Sequence, residues 1–169
     1  MQYSVMVEYA LHSLVYLIDI PEEECIGIKD LSEFQGLSET YLSKVFGKLS
    51  KAGIVSSTPG VKGGYKLAKT PEEISFWDVI EAVEGKKTIF QCKNILKTNL
   101  MYRDNEECTS CTQSNPLCTI NLTMLEAEEH MRKVLRNKTL AWLNKELDRV
   151  LPEKVRIDSE NYFKNTNSN

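Results

Sequence analysis

Five cysteines carry most of the reactive chemistry open to this 169-residue chain: Cys25, Cys92, Cys108, Cys111 and Cys118. Cys108-Thr109-Ser110-Cys111 is a C-x-x-C pair, Cys92 lies far upstream of it, and six residues separate Cys111 from Cys118. Thiolates are soft ligands that suit an iron–sulfur cluster or zinc. Clustered thiols can equally form a disulfide or react with an electrophile. Number and spacing leave these alternatives open. Cys25 stands apart and is assigned no role. A small redox enzyme built on C-x-x-C needs the motif at a strand-to-helix junction in a βαβ setting. No such strands precede Cys108, so that reading is weak and the chain is expected not to be an enzyme.

A second chemistry sits in the lysines. The chain as a whole carries a formal net charge of -3, yet from Ser38 to Lys69 there are six lysines against Glu39 alone. A basic segment segregated in an acidic chain is the electrostatic footprint of a phosphate-binding surface. The ordinary alternative is a solvated lysine-rich helix and hairpin. No basic, apolar and small-residue leader pattern opens the sequence. Its first apolar stretch, Val5 to Ile20, is interrupted by Glu8, His12 and Asp19, and it falls short of the roughly 20 apolar residues of a bilayer span. A cytoplasmic chain with no membrane partner and with reduced thiols is therefore expected.

These groups need elements to position them. Ser4 caps an expected helix whose apolar positions run Val7, Ala10, Leu11, Leu14, Val15 and Ile18, and Pro21 bounds it. Ile28 to Phe34 reads as a short helix stopping at Gly36. Ser38 then caps a second helix, with Tyr41, Leu42, Val45, Phe46 and Leu49 at helical spacing, ending near Ala52-Gly53. Two helices joined by a brief Gly-containing turn form a helix-turn-helix. Ile54 to Thr58 and Tyr65 to Lys69 are strand-like, and Pro59 to Gly64 between them is a hairpin signal. Ser75 and Asp78 form a capping box for a helix that ends at Gly85.

From Gly85 to Leu117 periodicity fades, with at most a short helix near Ile95 to Met101. After Cys118 a long helix is expected, with Ile120, Met124, Ala127, Met131 and Val134 as a heptad-like seam. Glu128 with Arg132, and Glu129 with Lys133, mark the opposite, solvent-facing side. A last amphipathic helix spans Thr139 to Leu151, Pro152 stops it, and the chain from Asp158 is polar and frayed. The seam calls for a second copy of itself in an antiparallel two-fold dimer, or else for packing back on its own domain.

The expected fold is thus mainly α: a winged helix-turn-helix with a small β-hairpin wing plus a long C-terminal dimerisation helix. Residues 1–84 would be the DNA-binding domain, 85–118 a cysteine-bearing sensor loop, 119–151 dimerisation helices and 152–169 a polar tail. On the helix after Ser38, the side chains off the apolar stripe include Glu39, Thr40, Ser43, Lys44, Lys48 and Lys51, with Tyr41 at its boundary. Candidate DNA contacts are Ser38, Thr40, Tyr41, Ser43, Lys44 and Lys48, joined by Lys62 and Gly63 of the wing. Gly63 and Gly64 are expected to supply positive φ and a thin wing tip.

Four stretches occur in order: Gln2-Tyr3-Ser4 leading to Glu8-Tyr9-Ala10-Leu11, Leu37-Ser38-Glu39-Thr40-Tyr41-Leu42, Gly53-Ile54-Val55-Ser56-Ser57, and Gly63-Gly64-Tyr65-Lys66-Leu67-Ala68. Together they resemble the Rrf family of winged-helix bacterial transcription regulators. That family includes the iron–sulfur cluster regulator, the nitric-oxide-sensing repressor and the repressor of cysteine metabolism. The resemblance implies a homodimeric repressor on a pseudo-palindromic double-stranded DNA operator, with the recognition helix in the major groove and the wing at the minor groove. Pro59 departs from the family's wing arginine, and Lys62 stands near enough to replace its charge. The resemblance also implies an iron–sulfur cluster, of the two-iron type, held from Cys92, Cys108, Cys111 and Cys118. The histidine that serves some members as fourth ligand is Asn121 here. Glu8 and His12, which share one helix face, are the possible additional ligands. Zinc, or thiol sensing with no cofactor, remains the alternative.

Overall fold

Leu42, Val45, Phe46 and Leu49 recur at three- and four-residue steps, and in the computed structural model of this chain all four are completely buried beneath one helix. The structure describes residues 2–21, 23–60, 63–93, 95, 100 and 118–167. They fall into two compact units: Gln2–Lys86 with Leu135–Asn169, and Lys87–Val134. Lys62, Cys108, Cys111 and most of the short helix expected near residues 95–101 lie outside the described residues.

The larger unit begins with α1 (Val5–Val15), α2 (Ile28–Gln35) and α3 (Glu39–Lys51). Ser4 holds the cap position of α1, but its side chain does not cap. Its backbone N–H instead donates to Glu84 Oε1 at 2.8 Å. The helix ends at Val15, well before Pro21, because the next backbone bonds tighten to three-residue steps, from Leu17 N to Leu14 O and from Ile18 N to Val15 O. The α2 and α3 ends use one device twice. Gly36 turns left-handed at φ 65 while Leu37 N donates to Ser32 O, and Gly53 does so at φ 68 while Ile54 N donates to Leu49 O. Both satisfy terminal carbonyls by the Schellman pattern.

Strands β1 (Val55–Thr58) and β2 (Gly64–Leu67) pair antiparallel in the register Val55↔Leu67 to Thr58↔Gly64. Ile26 adds a bridge to Tyr65 on the far side of β2. Helix α4 (Phe76–Glu84) opens with the capping box read from the sequence: Ser75 N donates to Asp78 Oδ2 at 2.8 Å, and Asp78 N to Ser75 Oγ at 3.2 Å.

The chain returns to this unit as α6 (Leu140–Val150) and α7 (Glu153–Asn167). Phe76 N donates to Lys138 O and Leu140 N to Ile74 O, so the start of α6 is stitched to the start of α4, and Leu140 is completely buried. This helix, which the sequence groups with the dimerisation helix, adds to the larger unit's core. The polar tail is likewise corrected. Residues 153–167 are helical, and Phe163 is buried among the rings of Phe34, Tyr16 and Tyr162, at centroid distances of 4.9, 5.4 and 5.2 Å. Arg156 adds ion pairs to Asp148 at 2.9 Å and Asp19 at 3.4 Å. Two adjacent aromatics and one arginine hold a helix whose own apolar periodicity is too sparse to announce it.

In the smaller unit, α5 (Thr119–Arg136) follows Cys118 directly. Its burial inverts the expectation. Glu128, assigned to the solvent side, is 3% exposed, paired with Arg132 and accepting from Ile89 N at 3.1 Å. The seam residues Ile120 and Val134 are 70% and 60% exposed. Ala127 is exposed too, while Met124 and Met131 are half-buried.

Phe163→Ala is expected to cost about 3 kcal/mol, the scale of removing a buried ring. Urea unfolding followed by circular dichroism measures it. A loss under about 0.5 kcal/mol would show that α7 adds nothing to the larger unit.

Candidate nucleic-acid interface and thiol site

Burying one stripe of α3 forces the other outward. Thr40, Ser43 and Lys44 are exposed, with Glu39 beside them in the first turn. Ser38 is exposed as well, but its Oγ is occupied as the cap, accepting from Tyr41 N at 3.4 Å. Tyr41 is half-buried, its ring edge-on to Tyr9 of α1 at 5.7 Å. Lys48 differs from Lys44: its ammonium donates to Val83 O in the last turn of α4 at 2.5 Å, where the carbonyl ends of a helix favour a cation. The structure therefore brings Thr40, Ser43 and Lys44 to one polar edge and turns Lys48 toward α4.

The wing is tied to this edge. Tyr65 of β2 lies 4.8 Å from the ring of Phe46, the buried residue beneath α3. The Ile26–Tyr65 bridge, with bonds of 3.0 and 2.9 Å, holds the strand from the other side. Gly63 and Gly64 are needed for a reason other than the expected one. Neither has positive φ; Gly60 does, at 123°. A Cβ on Gly63 would collide with Thr58 O, and one on Gly64 with Ile26 O. Close backbone approach is what demands glycine at both positions. Gly63 N closes the turn onto Gly60 O at 2.9 Å. The periodicity of α3 pointed to its exposed edge; nothing in the local pattern pointed to the long-range Lys48–Val83 bond.

Of the four loop thiols, Cys92 and Cys118 are described, and both are half-buried in the smaller unit. Cys118 stands at the head of α5, its carbonyl accepting from Leu122 N at 2.9 Å. Glu8 and His12 are exposed one turn apart on α1 in the larger unit, bordering a groove that includes Phe76, Leu143 and Leu147. Among the described residues no group of three or more His, Cys, Asp and Glu is assembled for a metal. Half-buried thiols outside a sealed apolar core fit a thiolate-ligated cluster or zinc by donor chemistry, and they fit reaction with a diffusing oxidant as well.

Comparison with known proteins extends this geometry. The family model described as "Rrf2: Iron-dependent Transcriptional regulator" matches residues 3–146. The chain is 33% identical over 141 residues to the HTH-type transcriptional regulator NsrR of Geobacillus kaustophilus, covering 83% of this chain and 88% of that protein. It superposes on the solved structure of IscR from T. potens with a TM-score of 0.65, at 24% identity, over 90% of this chain and 92% of that one. The oxidized form of Staphylococcus aureus CymR gives a TM-score of 0.59 at 28% identity, over 85% and 96% of the two chains. The winged-helix architecture is common to them.

Gly64→Ala is expected to lower stability by about 2 kcal/mol, since backbone rather than a flexible side chain must yield. Thermal unfolding checks it, and an unchanged midpoint would mean that the Ile26–Tyr65 bridge can open without cost.

Proposed function

Because the chain belongs to the Rrf2 family of transcriptional regulators, we propose that it works as a homodimeric repressor that reads iron–sulfur, redox or nitrosative state through loop cysteines. It is a DNA-binding transcription regulator, not an enzyme. The observation that carries the interface is the exposed edge of α3 beside a wing fixed to the same buried ring.

On that edge Thr40 and Ser43 offer hydroxyls to phosphates or base edges, and Lys44 is long enough to reach a guanine in the major groove. Ser38 and Tyr41 contribute chiefly by fixing where the helix starts and how it leans on α1. Lys48 neutralises phosphates only if it leaves Val83, so its contribution to affinity is smaller than that of Lys44. Gly63 lets the wing come close to DNA, and Lys62 supplies the wing's charge.

The exposed seam of α5 supports the dimer. Ile120, Ala127 and Val134 leave apolar surface in water, and an antiparallel second copy covers it with the same residues. Two recognition helices related by a two-fold axis read half-sites about 34 Å apart, which gives a pseudo-palindromic operator.

For the signal, Cys92, Cys108, Cys111 and Cys118 are the residues that would hold a two-iron cluster, with Glu8 or His12 as an additional ligand. When bound, the group supplies redox- and nitric-oxide-reactive chemistry. Cys118 immediately precedes α5, so whatever holds its sulfur also sets where the seam helix begins.

Three measurements test the reading. Lys44→Ala is expected to weaken binding to a duplex selected from a random pool and to reduce the slope of log affinity against log salt by about 1; unchanged affinity and slope would remove Lys44 from the interface. Cys111→Ala and Cys118→Ala are expected to leave the sedimenting dimer intact while making DNA affinity indifferent to iron supply or oxidant. If both variants respond as the parent does, the sensor assignment is wrong. The absorption spectrum of protein purified without oxygen, with iron, sulfide and zinc assayed on the same sample, selects the chemistry. Visible colour with matching iron and sulfide supports the cluster, whereas colourless, metal-free protein that still responds to oxidant supports thiol sensing.

A further inference from the structure

Helices α1, α6 and α7 line a partly open cavity of about 360 Å³ within the larger unit; the DNA interface does not use it, and of the candidate cluster ligands it takes in His12 alone. Its walls are mainly apolar: Val15 and Tyr16 from α1, Leu147 and Leu151 from α6 and its end, and Val155 and Phe163 from α7. The volume falls within the range of about 300–1,000 Å³ typical of small-molecule sites.

The charges at the rim indicate what kind of molecule. Arg156 donates to Asn144 Oδ1 at 2.6 Å and is paired with Asp148 and Asp19. Lys164 is paired with Glu160 at 3.3 Å. Both cations at the rim are thus matched by carboxylates, so the rim does not single out an anion. Burial raises the pKa of the Tyr16 phenol, a shift partly opposed by Arg156. A neutral hydroxyl in an apolar wall can meet one hydrogen-bonding group of a ligand.

Two further observations give the cavity meaning. The family model matches residues 3–146, whereas Leu147, Leu151 and all of α7 lie beyond it. Much of the lining is thus built outside the matched region. Phe163 also packs against Phe34, which sits in the first helix of the helix-turn-helix, at 4.9 Å. One ring is at once a wall of the cavity and a support of α2.

We propose that this cavity is an effector site for a small neutral molecule with an apolar, ring-sized body and one hydrogen-bonding group, and that α7 couples its occupancy to the helix-turn-helix. The other occupant, a segment of a second copy, would exclude such a molecule from the dimer.

Indole serves as the probe, titrated calorimetrically into the full-length protein. One indole per chain is expected to bind, and Val155→Trp, which fills the cavity, is expected to weaken binding by about tenfold or more. Ser159→Phe fills it from the same helix and provides a second variant if the first does not fold. Both should retain the parent's circular dichroism. Saturating indole is expected to change the parent's DNA affinity by roughly threefold or more and to leave that of the filled variants unchanged. Equal binding by parent and folded variants, or none by the parent, overturns the site. Binding with no change in DNA affinity overturns the coupling. The titration needs no DNA, so its failure is distinct from failure of the repressor reading.

Discussion

The contact between Phe46 and Tyr65 is the constraint on which the DNA-binding face depends. Phe46 is completely buried beneath α3, and its ring meets Tyr65 on the wing at 4.8 Å. Burying one such side chain is worth about 1.5–3 kcal/mol, and here the same burial fixes two elements. Rotating α3 would withdraw Phe46 from the core; lifting the wing would expose Tyr65 and open its two backbone bonds to Ile26. The recognition edge and the wing consequently hold one geometry. Gly64 is a condition of it, because only a residue without Cβ lets β2 lie this close to Ile26.

The smaller unit follows a different logic. Helix α5 buries a carboxylate and exposes Ile120, Ala127 and Val134 of its apolar seam, the reverse of an ordinary surface helix. Glu128 can be buried because Arg132 and the Ile89 N–H satisfy it. Removing one partner of such a pair typically costs about 3–5 kcal/mol, so the segment around Lys87 to Ile89 is held by charge and hydrogen bonds in a specific place. This arrangement leaves the seam uncommitted. Apolar surface in water forgoes about 25 cal/mol per Å² that burial would supply, which is the driving force available to a second copy.

What could be read from the sequence was what local chemistry determines. The caps at Ser38 and Ser75, the stops at Gly36, Gly53 and Gly85, and the stripe under α3 each rest on residues within one or two turns of one another. The hairpin was legible for the same reason, although Gly63 answers to close approach within the turn, at Thr58 O, and Gly64 to the distant Ile26, rather than to positive φ. The losses were long-range. Lys48 and Val83 are 35 residues apart, Ile89 and Glu128 are 39 apart, and Arg156 and Asp19 are 137 apart. No periodicity encodes such partners. The thiol spacing marked a site by residue type alone, and Cys108 and Cys111 fall outside the described residues.

Helix α7 shows how a segment with little hydrophobic content can still be structural, and why it differs from the helices of the core. Aromatic contacts and ion pairs both attach it. Tyr162 and Phe163 join it to α1 and α2 through aromatic contact, while Arg156 joins it to α6 and to Asp19 just beyond α1 through ion pairs. Arg156 lies near the start of the helix and the two rings toward its end. The ion pairs are partly solvated and weaken with salt; the ring contacts depend on apolar burial and do not weaken in that way. Elements with few buried contacts occupy the low end of a protein's local stability and shift at small cost in free energy. A change at the ring end would act directly on Phe34, whereas Arg156 anchors the other end of α7. The helix-turn-helix is thus supported from outside its own core, through the contact of Phe163 with Phe34.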